Sequence, residues 1–176
     1  MRSKGVSKET IVSETVKLIE ENGQSSISLH ELARRLDINT PSLYNHIKNT
    51  KDLRHEVFKY AIDKFVANQN AATAGKQQDD AVKAFAEAYY QFAKENKGLY
   101  RLIMSMPLNN DDIEKAMAVP LLETVTNLLS GYGLNDETIA HWQRVLRAFS
   151  SGVRFFLAII KPPGWCFYYT PPWRFT

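Results

Sequence analysis

The sequence predicts an all-α protein: a three-helix N-terminal unit, a connector helix, and a C-terminal helical bundle. Three observations carry this. Apolar residues recur at spacings of three and four along most of the chain, the period of a helix with one buried face. Helix-start residues such as Ser28 and Thr40 stand before these runs, and Gly23 and Gly131 stand after them. Between Ser28 and Leu53 the pattern stops for only three residues, Asp37-Ile38-Asn39, and resumes, so two short helices meet at a tight turn.

The first helix is expected over residues 7–22, with Val12, Val16 and Ile19 on one face and Ile11 and Leu18 beside them. The second opens on Ser28 with Glu31 three residues on, a capping box. Leu29, Leu32, Ala33 and Leu36 form its apolar stripe, and Arg34 and Arg35 lie off it. The third, from Thr40 to Ile47, has a capping threonine followed by Pro41, whose missing N–H costs nothing at a helix start. Leu43 and Ile47 face inward one turn apart. The connector, 51–70, is apolar on two sides: Leu53, Val57, Tyr60 and Ala61 on one, Phe58, Ile62 and Phe65 on the other. A helix of that kind touches two bodies.

Residues 68–80 are polar and small, contain Gly75, and read as a linker. Further helices are expected over 81–95, 99–106 and 111–130, where Pro120 should kink or split the third. A last helix begins after Asn135. The domain limits that follow are 1–50, the connector 51–70, a helical domain 78–160, and a tail 161–176.

Pro41, Ser42, Tyr44, Asn45 and Lys48 occupy the outer arc of the third helix. That arc holds small, hydroxyl, amide, aromatic and cationic groups and no carboxylate. A helix that only covers a core usually carries acids outside; one that lies against phosphates and base edges does not. An ordinary helical bundle would also contain two short amphipathic helices. The caps, the short turn and the acid-free face favour a helix presented to the DNA major groove.

Composition agrees with placed contacts rather than bulk charge. Residues 1–60 hold 10 Lys and Arg against 8 Asp and Glu, and the net charge is +3, too small to coat nucleic acid unaided. Arg2, Lys4, Lys8, Lys48 and Lys51 form a local basic patch. The lone Cys166 excludes an internal disulfide and a cysteine metal cluster. The N-terminus lacks an apolar signal core, and no window nears the 18 or so apolar residues of a membrane span, so a soluble cytoplasmic protein is expected.

The run S-L-Y-N-H-I-K-N, followed by K-D-L at the start of the next helix, resembles the recognition-helix signature of the TetR family of bacterial transcriptional regulators. The resemblance covers about residues 7 to 60. It implies that Ser28 and His30 open a supporting helix that touches phosphates and sometimes a base. It implies that Thr40, Pro41, Ser42, Tyr44, Asn45 and His46 form the recognition helix, with Tyr44 and His46 on phosphate and the earlier residues on bases. The family commonly has a lysine where Thr50 stands; here the lysine falls one place later, at Lys51. The implied partners are a palindromic double-stranded operator, a second copy of the chain and a small-molecule inducer.

In the last helix Ile139, Trp142, Leu146, Phe149, Val153, Phe156 and Ile160 alternate in steps of three and four, an a/d seam. An intramolecular core stripe and a dimer interface both fit. Family members pair through their last two long helices, which implies an interface of Leu121, Val125, Leu128, Ile139, Leu146, Val153 and Phe156. HWQRVLRAFSSG also resembles a tryptophan- and glycine-containing stretch of one subgroup of TetR-like effector domains. Phe85, Tyr89, Phe92, Tyr100, Met104, Trp142 and Phe149 would line a ligand pocket there, with tyrosine hydroxyls as polar handles. Each of them taken singly reads as core packing; the pocket is what the resemblance implies for the domain as a whole.

An enzyme is the competing class. His30, His46, His55 and His141 show no metal spacing, and no nucleophile elbow, P-loop or dinucleotide turn occurs. Asp79-Asp80 and Asp111-Asp112 each open a helix and read as caps, where acids also suit the dipole. No cofactor or metal is expected. The tail KPPGWCFYYTPPWRFT holds four of the seven prolines, which stops the amphipathic pattern abruptly. We read it as out of register with what precedes it, for instance through a frameshift. A gene in which no alternative frame continues the pattern would remove that reading.

Overall fold

Helix α1 (Lys8–Asn22) opens a chain whose regular structure is helical throughout the described residues. The computed structural model describes residues 6–22, 27–105 and 112–142. After α1 come α2 (Leu29–Arg35), α3 (Thr40–Leu43), α4 (Thr50–Thr73), α5 (Gln78–Glu95), α6 (Lys97–Met104), α7 (Asp112–Ser130) and α8 (136–142). The a/d positions beyond Trp142, among them Leu146, Phe149, Val153 and Phe156, lie outside the described residues, as does the tail 161–176. Among the described residues no helix is long and apolar enough to cross a membrane.

α1, α2 and α3 pack around Ile11, Leu18, Leu32, Leu43 and Ile47, all buried. The core does not stop there. Leu53, Val57, Phe58, Ala61, Ile62 and Phe65 of α4 are buried on both expected faces, and the same cluster continues into Phe92, Leu99, Leu102 and Ile103 of α5 and α6. Tyr60, expected on the first face, is exposed. Two ionic ties brace the first helix. Lys8 meets Glu56 of α4 at 2.6 Å. Arg35 of α2 hydrogen-bonds Glu21 and lies 3.5 Å from Glu14, both on α1.

Several boundaries differ from the sequence expectation. α4 runs to Thr73, so the polar stretch after Asn68 is helix, and only 74–77 separate it from α5. Burial explains this. Gln69 is fully buried, and with its amide turned to suit its neighbours it donates to the Phe85 carbonyl and accepts from the Tyr89 N–H. Asn68 donates to the Ala88 carbonyl at 3.2 Å. These side chains are polar because they bond to α5, not because the chain is loose. Gly75, at φ +70°, makes the turn.

Asp79 and Asp80 are not caps: Gln77 holds that position, and the acids sit in the first turn of α5. Asp79 accepts from the Tyr132 hydroxyl at 2.7 Å, tying the start of α5 to the end of α7. Pro120 lies within α7 without splitting it. α6 begins and ends two residues earlier than the expected 99–106.

Candidate nucleic-acid interface

The two short helices are joined by local chemistry. Ser28 caps α2, its Oγ accepting from Glu31 N at 3.3 Å. The Glu31 carboxylate turns toward Arg35 at 3.8 Å. At the far end Ile38 N donates to Ala33 O and Asp37 N to Arg34 O, the paired bonds of a Schellman motif. That motif needs a left-handed residue, and Asp37 supplies it at φ +52°. Aspartate tolerates this conformation better than most non-glycine residues.

α3 is one regular turn, Thr40–Leu43, shorter than the expected Thr40 to Ile47. Its N-cap is Asn39 rather than Thr40, with no side-chain cap bond. Tighter bonds carry the coil onward, Asn45 N to Ser42 O and His46 N to Leu43 O, and an ordinary α-helical bond, Ile47 N to Leu43 O at 3.0 Å, closes it. Leu43 and Ile47 lock this coil into the core. Pro41, Tyr44, Asn45 and His46 then stand exposed, with Thr40 and Ser42 half-buried between them. Tyr44 is 53% exposed, the most of any large hydrophobic residue among those described. Nothing in the core requires an aromatic ring there.

Ser28, His30, Lys48 and Lys51 are also exposed. The start of α4 is fixed by a pair of bonds that the sequence reading overlooked. Asn49 caps the helix, its Oδ1 accepting from Asp52 N at 2.9 Å, and the Asp52 carboxylate accepts from Lys48 N at 2.9 Å. The spacing Asn49-x-x-Asp52 is a capping pattern and was legible. It sets where Lys48 and Lys51 leave the backbone. Across α1 and α2, the Arg35 hydrogen bond holds the Glu21 carboxyl below its usual range, and the same bond raises Arg35.

Of the residues considered for a ligand pocket, five come together. Tyr89 meets Tyr100 edge-on at 5.8 Å, their hydroxyls 3.2 Å apart, and its hydroxyl points at the Met104 sulfur at 3.9 Å. Phe85 lies beside Tyr89, and Phe92 joins through Phe65. Burial raises the Tyr100 hydroxyl pKa. The rings are packed on one another. Trp142 stands apart, 45% exposed beside His141. A cleft of about 350 Å³ opens elsewhere, between the end of α4, the start of α5 and the end of α7, lined by polar groups such as Asn70, Gln78 and Asn127. On the face considered for pairing, Leu121, Val125, Leu128 and Ile139 are half-buried. Among the described residues no group of acidic, histidine or cysteine side chains is arranged to hold a metal ion.

Comparison with known proteins agrees with this architecture. Residues 82–156 match the family described as "Tetracyclin repressor-like, C-terminal domain". An uncharacterized HTH-type transcriptional regulator of Mycobacterium tuberculosis is 36% identical over 133 residues, 75% of this chain. The chain spans 61% of the length of that relative. PfmR of Thermus thermophilus, a TetR-family regulator, superposes with a TM-score of 0.60 at 22% identity, over 88% of this chain and 87% of its own. BioQ, solved with its double-stranded DNA operator, gives 0.62 at 17% identity, over 88% and 89%. At such identities the two structures speak for the fold alone. The match to the C-terminal domain model, the bacterial relative and the helix-turn-helix geometry together support placing the chain with the TetR family of transcriptional regulators.

Proposed function

We propose that the protein is a homodimeric, ligand-responsive repressor that works in the cytoplasm, with residues 1–50 as its DNA-reading unit and 78–160 as its effector and pairing unit. The observation that favours this reading is the coil from Thr40 to Ile47. Leu43 and Ile47 anchor it, while Pro41, Tyr44, Asn45 and His46 stay exposed. Such a helix suits the major groove, and Ser28, His30, Lys48 and Lys51 border it as phosphate contacts. Asn45 and Ser42 offer an amide and a hydroxyl to base edges.

Pairing of two copies would place two such coils on one face of the duplex. A two-fold assembly reads half-sites about 34–36 Å apart or a multiple of this. BioQ, bound to its operator, is a precedent in the same fold. The cluster of Tyr89, Tyr100, Met104, Phe85 and Phe92 suits a largely apolar or aromatic inducer held by the tyrosine hydroxyls. A second reading, a dimeric DNA-binding protein without an inducer, is favoured by how closely those rings pack.

Selection from random duplexes, with the mass in solution measured alongside by light scattering, tests the proposal. A dimer near twice 20.1 kDa that enriches a palindrome is the expected result. A monomer, or enrichment of no symmetric site, would count against it.

A further inference from the structure

α6 starts without a cap of its own. Asn96 stands at its N-cap, a residue type suited to hold the first free N–H groups. Its side chain is engaged elsewhere: Nδ2 donates to Phe92 O at 3.2 Å, and Oδ1 accepts from Lys64 Nζ at 2.7 Å. The cap arrives from another element. Glu20, near the end of α1, places Oε2 2.8 Å from Gly98 N and Oε1 3.0 Å from Leu99 N. One carboxylate thereby takes two orphan donors at the end of the helix dipole that favours negative charge.

The approach is as close as a backbone allows. A Cβ on Gly98 would lie 2.7 Å from the Ile19 carbonyl oxygen and 2.9 Å from Ile19 Cγ2. Only glycine lets α6 dock on α1 in this way. Farther along the same short helix, Tyr100 and Met104 reach Tyr89 of α5. α6 is therefore held by α1 at one end and by the aromatic cluster along its length. α1 in turn is tied to α2 through Arg35 and to α4 through Lys8.

We propose that Glu20 and Gly98 form a latch through which the packing of the aromatic cluster sets the position of the α2–α3 unit. Glu20 is a positioning residue in this scheme: it touches no base or ligand, and it makes α6 and α1 move together. A group wedged between Tyr89 and Tyr100 displaces α6, and the carboxylate carries that displacement into α1. The inference rests on the proposed function in taking residues 40–47 as the DNA-reading coil and the aromatic cluster as the ligand site.

Hydrogen exchange on the full chain tests it without operator or ligand. Glu20→Ala should speed exchange at the Gly98 and Leu99 amides about tenfold or more, as expected for loss of bonds to a charged acceptor. Tyr100→Leu then serves as a stand-in for a disturbed cluster. With Glu20 present it should change exchange at the His46 and Ile47 amides by about threefold or more; combined with Glu20→Ala, that change should fall to about half or less, the remainder passing through the shared core. Unaltered protection at Gly98 and Leu99, or an equal response at His46 and Ile47 in both backgrounds, would overturn the latch. Should Glu20→Ala not fold, Glu20→Gln keeps the size and one acceptor, and the same comparison applies. A merely structural Glu20 would lower stability without weakening the response of His46 and Ile47 to Tyr100→Leu. If duplex selection fails while the exchange coupling holds, the DNA-reading role falls and the latch stands.

Discussion

Asn45 and Lys48 lie three residues apart on one exposed coil and are assigned different work. A primary amide can meet adenine through a donor and an acceptor at once, a pairing worth about 1–3 kcal/mol of discrimination. Asn45→Ala should therefore relax preference at one operator position, read by competition among single-base variants of the selected site. An equal loss on every sequence would take Asn45 out of base reading. Lys48 presents a point charge, which phosphates feel regardless of sequence. Lys48→Ala should weaken all duplexes alike and flatten the salt dependence by about one unit of slope. A titration over several salt concentrations with an unchanged slope would remove Lys48 from the phosphate contacts.

Among the helices, the join between α3 and α4 decides where these side chains point. Asn49 caps α4, and Asp52 reaches back to Lys48 N, so the α4 end of a short connection is pinned by side chains. Asn49→Ala should cost about 1 kcal/mol of stability. Urea unfolding reads this directly, and a midpoint equal to that of the parent would mean that water satisfies the freed N–H. The end of α4 shows the opposite lesson. Asn68 and Gln69 look like linker residues, yet they extend the helix because α5 supplies partners for their amides. Composition reports polarity, and polarity alone does not separate a solvated loop from a buried polar contact.

From end to end, the shared core running from Ile11 to Ile103 joins the reading helices to the aromatic cluster without a break. A molecule built this way has a route for coupling, and such linkage is typically about 1–3 kcal/mol. The two functional readings separate here. Melting with and without a library of apolar aromatic compounds should show stabilisation that grows with concentration for at least one of them. A flat response across the library, with Tyr89 and Tyr100 intact, would favour the reading without an inducer.

The all-helical class, the helix-turn-helix and the residues on its outer face could all be read before any coordinates. Those features rest on contacts three or four residues apart, and the signals for such contacts are local: the cap at Ser28, the left-handed Asp37, the anchors Leu43 and Ile47. Helix limits were less legible. Thr40 and Asn39 are both good caps, and the folded backbone chose between them. It took packing to show that Gln69 is buried, that α7 runs through Pro120, and that Tyr89 meets Tyr100 edge-on. Packing likewise joined Glu20 to Gly98, 78 residues along the chain. A glutamate on an exposed face and a glycine in a helix start carry no mark of each other until the helices meet. The energy that pairs them comes from two N–H groups that converge, and a dipole that arises, only once α6 has formed.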